Sequence, residues 1–149
     1  MRKVICVIAV MGLTVAWAAP AQAASHNLNS TIKIAAVKST GSPPYSGSSE
    51  YAGTFKGGLG SGAIVGHLSF NPPAFHGGFR VYLKQGTLKG NMEGTGAPNS
   101  GGGIDVSGGG EITKGSGKYK GAHGKFTFSG GRPADPPIDT ISITGSVKY

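Results

Sequence analysis

Cysteine is almost missing from this 149-residue chain, and tryptophan and methionine are nearly so. Cys6, Trp17, Met1 and Met11 all fall within the first 23 residues. Beyond them there is no thiol, so neither a disulfide framework nor thiolate chemistry is open to the remainder. Acidic residues are scarce: Glu50, Glu93, Asp105, Glu111, Asp135 and Asp139 stand against fourteen Lys and Arg. Glycoside hydrolysis needs two facing carboxyls roughly 5–10 Å apart, and no spacing here dictates such a pair. The histidines, His26, His67, His76 and His123, form neither H-x-H nor H-E-x-x-H. They read as surface residues, and no metal site is expected. No G-x-S-x-G elbow occurs, and Gly109 to Lys114 lacks the ending of a P-loop. Sustained 3.6-residue periodicity is absent after residue 23, which argues against a helical fold.

What is present begins with an export signal. Arg2 and Lys3 form a short basic region, Val4 to Trp17 is apolar apart from Gly12 and Thr14, and Pro20 precedes Ala21-Gln22-Ala23. That order is the order of a secretory signal peptide cleaved after Ala23. The apolar run is short for a bilayer span of ~20 residues, so no stable membrane anchor is expected. The chain therefore reads as residues 1–23, signal peptide, and residues 24–149, one domain, secreted or periplasmic. Export without disulfides fits a bacterial envelope or medium better than an animal secretory route. Asn29-Ser30-Thr31 is a glycosylation sequon, of use only in a eukaryotic pathway.

Glycine is the outlier in the exported part. All of the 28 glycines except Gly12 lie there, roughly three times the ~7 % norm. No G-X-Y period exists, which excludes collagen. Period-2 alternation recurs instead and predicts eight strands. They centre on Ile32–Ala36, Tyr51–Gly57, Ile64–Phe70, Phe79–Leu83, Leu88–Gly94, Ile104–Ile112, Phe126–Phe128 and Ile141–Tyr149. Turn chemistry separates them at Thr40–Ser49, Asn71-Pro72-Pro73, Gln85-Gly86, Ala97–Gly102, Gly115–Gly117 and Arg132–Pro137. Strands at such spacing form a sandwich or barrel.

Gly53, Gly57, Gly66, Gly90, Gly94, Gly108, Gly110 and Gly145 share the apolar phase of their strands. Inward glycines either leave a cavity among Phe, Ile and Leu, or permit tight coiling around a filled interior. Both outcomes are open on the sequence. Four x-Lys-Gly endings, at Lys56, Lys89, Lys114 and Lys120, read as edge protection and turn formation. Arg80, Tyr82 and Lys84 share one strand face that could meet a sugar or phosphate. Loss of Arg2 and Lys3 lowers the net charge from +8 to +6. The lysines are spread along the chain without an Arg cluster, so nucleic acid is not an expected partner.

The most distinctive stretch is Gly115-Ser116-Gly117-Lys118-Tyr119-Lys120-Gly121-Ala122-His123-Gly124. This G-[ST]-G-x-[FY]-x-G-A-x-G frame resembles one found in the allene oxide cyclase and dirigent barrel superfamily, and in small secreted bacterial proteins of unassigned role. The structural frame residues are Gly115, Gly117, Tyr119, Gly121, Ala122 and Gly124. Gly115 and Gly117 give backbone freedom, Ala122 and Gly124 keep bulk low, and Tyr119 anchors the turn with its hydroxyl toward water. The resemblance implies an antiparallel eight-stranded, calycin-like barrel able to enclose an apolar ligand without a cofactor. It carries over no catalytic residue.

The leading expectation is a non-catalytic binding module for a small apolar or amphiphilic ligand, with the balance against an enzyme and homo-oligomers possible. Two alternatives stay open: a cyclase, isomerase or dirigent-like coupling guide acting in the same cavity, and a cell-surface protein that binds anionic glycan.

Overall fold

The computed structural model describes residues 23–41 and 46–149. The signal-peptide reading falls on residues 1–23 and so, apart from Ala23, lies outside the described residues. Nine strands form one antiparallel sheet: β1 (Ser25–Asn27), β2 (Ser30–Thr40), β3 (Gly47–Gly57), β4 (Gly60–Asn71), β5 (Ala74–Leu83), β6 (Gly86–Pro98), β7 (Ile104–Gly115), β8 (His123–Arg132) and β9 (Asp139–Lys148). Each strand from β2 to β9 pairs with the next, and β9 returns to β2. The sheet thus closes into an eight-stranded barrel, as the alternation predicts.

The short β1 was not legible in advance. It occupies the same edge of β9 as β2 and keeps the same register: Asn27 faces Ser146, and Ser30 faces Ile143. At the break, the Leu28 N–H donates to the Gly145 carbonyl at 2.9 Å. Closure leaves β3–β8 without a free edge, and among the described residues only 35–40 of β2 lack a partner on the β9 side. Edge protection is therefore not the role of the x-Lys-Gly endings, contrary to the sequence expectation. The strands also run further than predicted, with β2 reaching Thr40 and β8 reaching Arg132.

Away from the mouth, inward positions are mainly apolar or glycine and outward positions mainly polar: Lys33, Glu50, Thr54, Lys89, Asn91, Glu93, Glu111, Lys125, Thr127 and Ser142 all face solvent. This is the inverse of a membrane-spanning barrel, whose outer band is apolar. No helix among the described residues is long and apolar enough to cross a membrane.

The meander gives the barrel two unlike ends. One end gathers the starts of β2, β4, β6 and β8, the β3–β4 and β5–β6 turns, and the β7–β8 connection. The opposite end gathers the β4–β5 turn and the β2–β3, β6–β7 and β8–β9 connections.

Candidate functional site

The wall of the barrel is built by a pairing rule. All six phenylalanines stand directly opposite a glycine on a neighbouring strand: Phe55 with Gly62, Phe70 with Gly47, Phe75 with Gly94, Phe79 with Gly90, Phe126 with Gly110 and Phe128 with Gly108. Tyr51 faces Gly66 in the same way. In every couple but Phe55–Gly62 the ring lies down over the missing side chain; a Cβ on Gly62 would instead meet the Tyr82 carbonyl and the Leu83 side chain. A Cβ on Gly90 would sit 2.6 Å from Phe79 Cζ, and one on Gly108 would sit 2.7 Å from Phe128 Cζ. A ring that lies along the wall does not project to the barrel axis. Neighbouring carbonyls also approach these glycines closely, as Glu111 O does at Gly90, so the same residues allow tight coiling. The inward glycines thus permit tight coiling around an interior that is not filled, rather than the packed interior of the second alternative.

The result is a cavity of about 790 Å³ along the barrel interior. Its floor is Leu28, Phe55, Leu88 and Ile112, all buried. Its middle is Ile32, Ile64, Phe79, Phe126 and Ile143, and its mouth includes Ala36, Phe70, Pro73, Ala97 and Ile104. The volume lies within the ~300–1,000 Å³ range of small-molecule sites.

Ionisable groups also face this space. Arg132 and Asp139, the last residue of β8 and the first of β9, line the mouth. Arg132 Nη2 and Nε donate to Asp139 Oδ2 at 2.6 and 3.1 Å. Asp139 is buried although the sequence marks it only as the end of a Pro-rich loop. Its partner Oδ1 accepts no hydrogen bond among the described residues. Deeper in, the buried Tyr51 crosses under Gly66, and its hydroxyl makes a long hydrogen bond to the Gly78 carbonyl at 3.4 Å. Burial raises the Tyr51 pKa well above the usual phenol range.

The predicted glycine frame sits at the opposite, closed end. Residues 116–122 fold across it and are stitched to the β5–β6 hairpin. Ser116 N–H donates to Thr87 O and Lys118 N–H to Gln85 O, each at 2.9 Å. Tyr119 is buried, and its hydroxyl donates to the Leu59 carbonyl at 3.3 Å rather than to water as expected. Its ring meets Tyr149 edge-on at 5.1 Å, and Tyr149 stacks on His26 at 4.4 Å. His26 is therefore half-buried packing, not a surface histidine. Gly117 and Gly121 take φ of +61° and +84°, which demands glycine. Gly115 serves close approach instead: a Cβ there would meet the Ala122 side chain at 2.8 Å and the Tyr119 carbonyl. Gly124 likewise passes close to the Ser146 carbonyl. The frame closes the barrel and contributes nothing to the cavity lining.

A second depression, about 920 Å³, lies on the outside of the wall, bordered by His67, His76, Asn91, Glu93, Glu111 and Lys125. It is shallow and solvent-facing, so it lacks the enclosure of the inner cavity. No cluster of three His, Cys, Asp or Glu side chains suited to a metal ion occurs among the described residues. Glu93, Asp105 and Glu111 are exposed, as their strand phase predicts. Compared with known proteins, the chain matches no family model, no curated protein and no solved structure.

Proposed function

We propose that this protein is an exported barrel that binds a small amphiphilic molecule inside its wall, with the apolar part inward and a polar group at the mouth. The observation that carries this reading is the 790 Å³ cavity itself, apolar along its length and flanked at one end by Arg132, Asp139, Ser39 and Ser49. Burial of an apolar tail contributes about 25 cal/mol per Å². A polar head would find Asp139 Oδ1 as an acceptor and the Arg132 guanidinium as a donor. The glycine frame supports kinship with the allene oxide cyclase and dirigent barrels, and the closed eight-stranded architecture is compatible with it.

The test is a dye that brightens in apolar surroundings, titrated into the protein alongside a thermal-shift screen of long-chain amphiphiles. Saturable brightening is expected, with displacement by the best amphiphile. Ala36→Trp narrows the mouth at an exposed position and should weaken dye binding about tenfold while the melting temperature holds. A protein that leaves the dye dark and gains no stability from any amphiphile would sink the reading.

A second reading has a specific observation in its favour. Isomerisation or guided coupling in the cavity requires ionisable groups facing inward, and Tyr51, Arg132 and Asp139 meet that need. Turnover of a bound amphiphile, lost in Asp139→Asn but with binding kept, would favour catalysis over simple carriage.

A further inference from the structure

Sequence separation hides how the cations are grouped. Register places Arg80 on β5 directly opposite Lys89 on β6, and Lys89 directly opposite Lys114 on β7. Three positive side chains thus stand in one row across adjacent strands, ~5 Å apart from strand to strand. The β6–β7 register shift at Lys89/Gly90 helps to set this row, because it leaves Thr113 unpaired and lets Lys114 face outward beside Lys89. Lys84 lies just beyond, in the β5–β6 turn, and Lys118 is held at that turn by its bond to Gln85. Like charges directly opposite one another destabilise a sheet. The row therefore costs the fold something, and none of its members is in a salt bridge among the described residues. The nearest strand carboxylate, Glu111, is one row nearer the mouth and opposite Lys125.

We infer that this outer face of β5–β7 is a binding surface for an acidic polysaccharide. Charge complementarity selects a polyanion. The hydroxyls around the row narrow the choice: Tyr82 accepts from Arg80 Nη1 at 3.2 Å, and Thr87 and Ser116 pair at 2.7 Å between the strands. They offer a hydroxylated chain donors and acceptors beside its charges. Single-stranded nucleic acid binds through several stacking aromatics, and this face exposes one, Tyr82, already covered by Arg80 at 5.8 Å. A membrane surface calls for several apolar side chains to insert; Val37 and Ile138 lie toward the mouth end, and beside the row only Tyr82 and Val65, opposite Arg80, are large and exposed among the described residues. The surface lies outside the wall and so leaves the cavity mouth free.

Retention of the protein on immobilised polygalacturonate, eluted with a salt gradient, tests this. Lys89→Gln with Lys114→Gln should weaken binding about tenfold or more, since each lysine near an anionic surface adds substantially. Lys33→Gln with Lys38→Gln removes the same charge from β2, on the opposite side of the barrel from β6, and should leave retention nearly unchanged. The first double variant should melt no lower than the parent, because a like-charge pair is relieved. Equal loss in both double variants would reduce the effect to net charge and overturn the proposal. So would unchanged retention of the first, or tighter binding to a single-stranded oligonucleotide or to phosphatidylglycerol vesicles. None of these readouts depends on occupancy of the cavity.

Discussion

The two ends of the barrel are made of similar chain and behave as opposites. At the closed end, Val147, Leu88 and Ala122 are 0 %, 1 % and 1 % exposed, and Tyr119 seals the connection above them. At the mouth, Val37 is 65 % and Ile138 41 % exposed, and an ion pair stands where the other end has aromatic packing. One end spends its apolar residues on burial. The other leaves them at the rim of an opening. The buried seal and the open rim are thereby separated along one axis, so each end can be perturbed while the other is read.

Tyr119→Ala should have the largest effect, since it empties the seal and orphans the Leu59 carbonyl. A loss of about 3–5 kcal/mol is expected in denaturant unfolding. Tyr119→Phe isolates the hydroxyl and should cost only about 1 kcal/mol. At the mouth, Asp139→Asn leaves Arg132 without its counter-charge, and about 1–3 kcal/mol should be lost. Replacing both members, Arg132→Leu with Asp139→Leu, should restore much of that, because an apolar pair avoids the desolvation of two charges. If the mouth pair proved to matter more than Tyr119, the division between the ends would be wrong.

Alkaline titration gives a smaller and distinct effect. Burial raises the pKa of Tyr51 in the cavity, and burial and then the charge of Tyr149 raise that of Tyr119 in the seal. Below about pH 10 both phenols are neutral in the folded and unfolded chain alike. Above it the unfolded chain releases protons that the folded chain keeps, so stability falls as pH rises. Tyr51→Phe should flatten that alkaline loss, measured by melting temperature between pH 9 and 11, with little change at pH 7. The smallest effect expected is Ser30→Ala. Its hydroxyl is buried without a partner among the described residues, so its removal should leave stability level or raise it by up to about 1 kcal/mol.

Much of the architecture was legible because alternation survives wherever a strand separates core from water. Phe126 and Phe128 against Lys125, Thr127 and Ser129 announce a wall strand without any structure. Positions that depend on register were not legible. Nothing local tells that Lys89 faces Lys114, because the bulge after Lys89 decides it. Asp139 and Arg132 flank a Pro-rich loop, and proline chemistry masks the alternation that would have marked both as inward. The three residues of β1 are too few to show a period. Tyr119 was recognised as an anchor, but its partner, Leu59, is sixty residues away in sequence and had no signal.

Five phenylalanines seated on five glycines also make the interior adjustable. Exchanging the members of one couple, ring for hydrogen across two strands, would move bulk from one point of the bore to another, but the strands would have to part as well, because a Cβ on Gly90 or Gly108 would run into the Glu111 or Glu93 carbonyl. Changing one member alone would either jam the wall or leave a hole. Lineages of this barrel should therefore alter the calibre and contour of the chamber in paired steps that move the neighbouring strands with them.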